Sequence, residues 1–229
     1  MKKRSIFDPS FEELPSVIPV FPLAGALLLP GNKLPLNIFE PRYLAMIRAA
    51  LAYPRLIGMI QPCSGKNGSC PNLFLSRDES LYSVGCAGRI TSFSENDDGR
   101  YTITVQGVCR FRIIQELPPQ EGYRLMKVDF SAYQSDLLPS NETISPNQLN
   151  NFFDILGPYF EHHHIKADWS VLKKVEIEKL VNSLSMLGNF EENEKQALLE
   201  AMTLQQRLEM LTCLMEIGRF SKNPSNSKN

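Results

Sequence analysis

The sequence predicts an α+β fold in which a small, partly closed β-barrel is followed by an α-helical bundle. Period-two patterns dominate before about residue 135, helical patterns dominate after it, and glycines interrupt the strand-like segments. Glycine within a strand is typical of bulges and bends in a curved sheet. The predicted divisions are an extension over 1–16, a barrel over 17–135, a linker over 136–146, a bundle over 147–220 and a disordered tail over 221–229.

The barrel region is predicted to fold as short strands around a single helix. Pro35 interrupts the apolar pattern of Leu34–Phe39. This places the strand at a sheet edge or a bulge, because proline donates no ladder hydrogen bond. Glu40-Pro41 then begins a helix that has proline at its first position and ends before Pro54. Its predicted buried face consists of Leu44, Ile47 and Leu51.

A hairpin is predicted in the middle of the barrel region. Asn96-Asp97-Asp98-Gly99 contains the residue types that tolerate the positive φ angles of tight turns. The preceding strand carries Gly85 and Gly88, and the return strand, Tyr101–Gln106, is followed after Gly107 by a further strand. We expect these three glycines to bend the barrel.

Capping signals divide the second region into helices. Ser145–Gln148 and Thr203–Gln206 are capping boxes, each of which satisfies two free backbone donors at a helix start. Asp168 is predicted to begin a helix that runs to Gly188, and Pro158 to kink or break the helix before it. The predicted inward residues of the last helix are Leu204, Leu208, Leu211 and Met215.

Composition and charge argue against several function classes. The net charge of the 229 residues is -1, without the basic excess that phosphate contacts require, so no nucleic-acid partner is predicted. No apolar run reaches the length of a membrane span, and acidic residues follow Lys2–Arg4 where a secretory signal needs an apolar segment. Five cysteines at scattered spacings predict reduced thiols in a cytoplasmic protein.

Several motifs resemble the N-terminal substrate-binding (LonN) domain family of Lon proteases, in particular its stand-alone bacterial members. The resemblance covers roughly residues 17 to 218, in order. The motifs that carry it are Ile18–Leu23, Leu28–Gly31, Leu34–Leu36, Ile38–Leu44, Val84–Ile90, Asp98–Arg100, Val105–Arg112, Glu194–Ala201 and Gln206–Glu209.

The resemblance implies a PUA-like β-pseudobarrel followed by a helical bundle. It also implies the recognition of unfolded or tagged protein substrates, as in full-length Lon, with no cofactor. Nothing in the sequence matches the Walker A pattern, since Gly65-Lys66 is followed by Asn67 and lacks the earlier glycine. We therefore expect a non-catalytic chain with neither the ATPase nor the Ser-Lys peptidase of Lon.

The candidate binding residues come from two segments and two strands. Arg42 and Tyr43 are of the types that dominate binding hot spots, although Glu40 and Arg42 also have a structural explanation at a helix start. The apolar segment around Leu28 and Leu29 is either core or an exposed groove. The full candidate set is Leu28, Leu29, Phe39, Glu40, Arg42, Tyr43, Arg89 and Arg110. For Arg89 and Arg110, cross-strand charge in the barrel is the favoured interpretation.

Two further groups of residues, His162–His164 and the Cys63/Cys70 pair, are candidates for metal binding or catalysis. Adjacent residues of a helix point about 100° apart, so three consecutive histidines do not ligate one ion from a regular helix. The two cysteines are too far apart in sequence for a zinc pair and have no second pair. No metal and no catalytic residue is predicted.

The leading functional hypothesis is a binding module for unfolded or extended protein segments. It would hold them in an apolar groove between barrel and bundle or add them as a strand to a sheet edge. It then either delivers them to a protease or acts as an independent adaptor. RNA binding, because PUA-like barrels include RNA binders, and a metal- or Cys/His-dependent hydrolase are the two alternatives.

Overall fold

The structure is a computed structural model that describes residues 9–63, 73–74, 80–138 and 142–219. The chain divides into two compact units. The sheet unit comprises the described residues of 1–140 together with 186–200. The helical unit comprises those of 141–185 and of 201–229. The predicted tail over 221–229 lies outside the described residues.

The sheet unit contains all eight strands found in the described residues. They are β1 (Val17–Pro22), β2 (Lys33–Ile38), β3 (Leu56–Ile60), β4 (Leu73–Phe74), β5 (Leu81–Tyr82), β6 (Val84–Glu95), β7 (Tyr101–Gln120) and β8 (Tyr123–Asp129). Six of them form one sheet in the order β2-β7-β6-β3-β1-β8, while β4 pairs with β5. Because β8 also pairs with β7, the strands β7, β6, β3, β1 and β8 form a closed circuit of pairings.

Strand β7 is the longest of the described strands, and different parts of it pair with different strands. Its first residues pair with β2 and its later ones with β8, while β6 runs along the other side. The sequence predicted an interruption at Gly107, but the strand continues through it. A Cβ at Gly107 would lie 2.2 Å from the carbonyl oxygen of Leu29, so this glycine permits the close approach of another backbone segment. The predicted bulge is confirmed at Gly88, where the register shifts after Ala87.

Helix α1 (Pro41–Ala52) has the predicted bounds and a different buried face. Its buried residues are Tyr43, Ala45, Met46, Ile47 and Ala50. The predicted face was correct for Ile47 and wrong for Leu44 and Leu51, which are only half-buried. Four of the buried residues follow the i, i+3, i+4, i+7 spacing of one helix face, which starts at Tyr43.

Two helical segments pack with the strands of the sheet unit. The first is a 3-10 helix, Ser131–Leu137. The second is α5 (Glu192–Glu200), which the sequence assigned to the bundle. Lys195 Nζ of α5 donates to the Gly25 carbonyl at 2.7 Å, and Gln196 Nε2 donates to the Val84 carbonyl at 3.1 Å. These hydrogen bonds to segments distant in the sequence explain why α5 belongs to the sheet unit. No local sequence pattern predicts them.

The helical unit is built from the other helices. They are α2 (Pro146–His162), α3 (Trp169–Leu172), α4 (Ile177–Leu187, whose last two residues fall in the sheet unit) and α6 (Leu204–Gly218). Both predicted capping boxes are confirmed, at Ser145 and Thr203, and all four predicted inward residues of α6 are buried. Of the kink or break predicted at Pro158, the break does not occur, since α2 continues through it. The helix predicted from Asp168 to Gly188 is two helices, because residues 173–176 interrupt it.

Of the helices in the described part of the chain, none combines the length and the apolar content that a membrane span requires.

Candidate functional site

The predicted binding residues differ sharply in exposure. Leu28, Leu29 and Arg110 are buried in the sheet unit, so a ligand does not reach them at its surface. Tyr43 is buried, and Arg89 is half-buried on β6 opposite Leu56 and Gln106. Phe39 and Arg42 are exposed and Glu40 is half-buried, and we call these three residues the helix-start surface.

The helix-start surface is formed where β2 passes into α1. Glu40 is the N-cap residue, with extended backbone, and Pro41 takes the first helical position. Arg42 Nε donates to Glu40 Oε2 at 2.9 Å, and Arg42 Nη2 lies 2.8 Å from the same oxygen. The side chains of Arg42 and Glu40 remain 50% and 41% exposed, respectively, so this pair is largely hydrated.

Two aromatic side chains, Tyr43 and Phe39, lie beside arginine side chains at the helix-start surface. The Arg42 guanidinium carbon lies 4.6 Å from the centre of the Tyr43 ring, whose own neighbour is Phe21 at 4.3 Å between ring centroids. Phe39 is 61% exposed, and the Arg100 guanidinium carbon is 6.0 Å from its ring centre. An exposed aromatic ring beside arginine side chains is typical of protein-binding surfaces.

Strand β2, which leads into this surface, is an edge strand. It is the first strand of the six-stranded sheet and pairs only with β7 among the described residues. The edge position predicted from Pro35 is therefore confirmed. The side chains of Leu36 and Ile38 are buried, Leu34 is half-buried, and those of Lys33, Pro35 and Asn37 are exposed.

The ladder shows which backbone groups of β2 face outward. Gly107 N–H donates to the Asn32 carbonyl at 2.9 Å, so this pair is hydrogen-bonded. Hydrogen-bonded and non-hydrogen-bonded pairs alternate in antiparallel sheets. The register therefore directs the backbone groups of Leu34, Leu36 and Ile38 toward β7. Those of Lys33, Pro35 and Asn37 point away from the sheet.

Arg110 has a structural role at the centre of the sheet unit. Its Nε and Nη2 donate to the two oxygens of Asp136 at 2.9 and 2.7 Å, and its Nη1 donates to the Leu199 carbonyl at 3.0 Å. Its guanidinium carbon lies 4.5 Å from the centre of the Tyr133 ring. Burial alone lowers the pKa of Arg110, but the hydrogen bonds and charge of Asp136 outweigh it and raise that pKa. Arg110 thus joins β7, the 3-10 helix and α5.

The sequence missed Asp136 as a structural residue because it lies in the predicted linker. Its side chain is 8% exposed, and it also accepts a hydrogen bond from the main-chain N–H of Arg110 at 2.9 Å. No residue close to Asp136 in the sequence indicates its partner, and only the fold reveals the arginine 26 positions earlier.

The described cysteines differ in state. Burial, and then the negative charge of Asp136, raises the pKa of the Cys86 thiol well above its usual value, so this thiol is held protonated. Cys109 is a buried thiol and Cys213 an exposed one, and neither forms a disulfide. Cys63 is disulfide-bonded, so the prediction of reduced thiols is wrong for this residue. Cys70, the other cysteine of the zinc alternative, lies outside the described residues.

The three histidines follow one another at the end of α2. His163 stacks near Tyr159, with 4.4 Å between ring centroids, and lies 5.0 Å from His162 by the same measure. Burial, followed by the charges of His162 and His164, lowers the pKa of His163. Within the described residues, no three His, Cys, Asp or Glu side chains come together as a metal site.

Sequence comparison relates the chain to one family. Residues 17–216 match the profile of the ATP-dependent protease La (LON) substrate-binding domain. The Lon protease of Syntrophus aciditrophicus is 24% identical over 213 residues, which is 91% of this chain and 26% of that protein. The Lon protease of Parabacteroides distasonis is 30% identical over 122 residues, 53% of this chain and 14% of that protein. The chain thus spans about a quarter or less of the length of these relatives.

Solved structures show the same fold. A Lon N-terminal domain protein from Xanthomonas campestris superposes with a TM-score of 0.62 at 21% identity, covering 87% of this chain and 98% of that one. The N-terminal domain of a Mycobacterium avium complex Lon protease gives a TM-score of 0.60 at 16% identity, covering 87% and 97%. The mixed α+β architecture, a six-stranded sheet with helices, is therefore that of Lon N-terminal domains. Together with the profile match over residues 17–216, this shows that the chain belongs to the LON substrate-binding domain family.

Proposed function

We propose that this domain binds unfolded or extended segments of other proteins and leaves them chemically unchanged. The observation that carries the proposal is its membership of a substrate-binding domain family over residues 17–216. Unfolded segments differ from folded proteins in exposing apolar side chains and free backbone groups. A surface that recognises them must offer partners for both.

The helix-start surface supplies partners for side chains. Phe39 offers an exposed apolar ring, while Arg42 and Glu40 offer one charge of each sign within a single pair. Tyr43 is buried and packs against Arg42, so we do not expect it to contact the client directly. Leu28, Leu29 and Arg110 are left out of this surface because they are buried, and Arg89 because β3 and β7 flank it.

The proposed partner of this domain is a protease. The relatives of this chain are Lon proteases, of which it spans the quarter or less that corresponds to substrate binding. We propose that the domain contributes recognition, whether it delivers clients to a protease or acts as an adaptor. We also propose that the barrel is PUA-like, that the helical bundle is a separate region and that the protein is cytoplasmic.

Binding to a permanently unfolded protein tests the proposal. We expect the chain to bind fluorescent, reduced and carboxymethylated α-lactalbumin, measured by anisotropy, and to bind native α-lactalbumin much more weakly. Phe39→Ala and Arg42→Ala should each weaken binding by roughly five- to thirtyfold, the range of interface hot spots. Arg48→Ala is the matched control, because Arg48 is an exposed arginine of the same helix.

Two results would contradict the proposal. One is the absence of binding to the unfolded protein under conditions in which the chain is folded by circular dichroism. The other is cleavage or any other conversion of the bound protein by the purified chain.

A further inference from the structure

We infer that the client segment binds as an additional β-strand along the free edge of β2. This inference rests on the proposed function and specifies how the client is held. It concerns the backbone of Lys33, Pro35 and Asn37, whereas the helix-start surface supplies side-chain contacts.

The free edge presents a defined set of hydrogen-bonding groups. Lys33 and Asn37 each direct one N–H and one carbonyl outward, and Pro35 directs a carbonyl only, because proline has no N–H. Two donors and three acceptors therefore stand in one row, at the two-residue spacing that the backbone of an extended peptide matches.

Side chains along the edge indicate which segments fit. Client residues opposite Leu34 and Leu36 would lie on the inner face of the sheet, beside the half-buried Leu34. Those opposite Pro35 and Asn37 would lie on the outer face, among the exposed hydroxyl groups of the neighbouring strands, such as Thr102. The preferred client thus has apolar residues at alternate positions, as in segments that normally form half-buried strands.

Pro35 argues for a foreign segment rather than a second copy of this chain. In an antiparallel pairing of two β2 strands, each copy would contribute one proline, so two backbone carbonyls would lack a donor across the interface. A client without proline loses only one such bond.

Two substitutions with opposite expected effects test the inference. Pro35→Ala adds the missing donor and should strengthen binding of reduced, carboxymethylated α-lactalbumin by about three- to tenfold, as expected for one hydrogen bond. Asn37→Pro removes a donor and should weaken it by at least a similar factor. Asn37→Ala loses the same side chain but keeps the N–H, so Asn37→Pro should weaken binding more than Asn37→Ala does, and the difference between them measures the contribution of the donor.

Amide hydrogen exchange of the unmodified chain provides a test that needs no variant. The saturating unfolded protein should slow exchange at Lys33 and Asn37, measured residue by residue by NMR. Exchange at Leu34, Leu36 and Ile38 should change little, because β7 already bonds these amides. Such an alternating pattern distinguishes strand addition from a general loss of solvent access.

The outcomes separate this inference from the proposed function. If the chain binds the unfolded protein but neither Pro35→Ala nor alternate amide protection has an effect, strand addition is wrong and the proposed function stands. The chain alone could instead show alternating amide protection, dimerise in sedimentation velocity and dimerise more tightly as Pro35→Ala. In that case a second copy occupies the edge and the inference is overturned. If the unmodified chain does not bind at all, both fail together. Asn37→Pro is interpreted only if its melting curve shows a folded protein.

Discussion

Two arginine–carboxylate pairs of the sheet unit have similar contact distances and opposite surroundings. The shortest nitrogen–oxygen distance is 2.8 Å between Arg42 and Glu40 and 2.7 Å between Arg110 and Asp136. The side chains of the first pair are about half exposed, whereas those of the second are 3% and 8% exposed. The first pair is available to a ligand, while the second joins segments of the core.

Burial decides how much each pair contributes to stability. Water competes for an exposed pair and screens its charges, so its formation changes the free energy of unfolding very little. Once a pair is buried, the loss of one member leaves the other charge without water and without a partner. The two pairs therefore predict different consequences for the same kind of substitution.

The largest effect is expected for the buried pair. Asp136→Asn should lower the free energy of unfolding by about 3–5 kcal/mol, because Arg110 would remain buried without its counter-charge. Urea denaturation followed by circular dichroism measures this change. The double variant Arg110→Met, Asp136→Leu should lose less than Asp136→Asn, since it leaves no buried charge. A loss below 1 kcal/mol in Asp136→Asn would contradict the structural role of the pair.

His163 should give an intermediate effect, because it is half-buried. Its pKa is lowered in the folded protein, so the unfolded chain takes up a proton first as the pH falls. Stability from this group is therefore complete above the usual histidine pKa of about 6.5 and decreases as the pH falls through and below it. Melting temperatures between pH 7.5 and pH 5 measure the decrease.

A pair of variants assigns this acid sensitivity. His163→Gln should reduce the difference in melting temperature between the two pH values. His164→Gln, at an exposed neighbouring position, should reduce the difference less, because it removes only one of the causes that lower the pKa of His163. An equal difference in the unmodified chain and in His163→Gln would show that the acid response comes from other groups.

The smallest change in stability is expected for the exposed pair. Arg42→Ala should alter the free energy of unfolding by less than about 1 kcal/mol, and 0.5 M NaCl should reduce the difference further. The same variant should nevertheless weaken client binding, which separates binding from stability at this position. A destabilisation as large as that of Asp136→Asn would remove the distinction between the two pairs.

Signals within a few residues of one another were sufficient to predict much of the fold. Pro35 indicated the edge strand, Ser145 and Thr203 indicated helix starts, and Pro41 indicated the beginning of α1. Each of these residues acts on its own backbone, so its effect is readable without knowledge of the fold.

Features that depend on distant partners could not be predicted in this way. Asp136 resembles a linker residue until Arg110 is placed beside it, and α5 resembles a bundle helix until Gln196 is seen to bind the Val84 carbonyl. The roles of the candidate site residues also depend on distant partners. Motif resemblance selected Arg42 and Arg110 together, and only burial separates a contact residue from a core residue.

The closed circuit of strands has a consequence for biosynthesis. Val17 of β1 pairs with Lys127 of β8, which leaves the ribosome 110 residues later. At the usual 5–20 residues per second, roughly 5–20 s pass between the emergence of the two strands. Throughout this interval the nascent apolar strand β1 lacks β8, and at first it also lacks its other neighbour, β3. A domain proposed to bind unfolded segments would itself expose an incompletely paired apolar strand while it is being made.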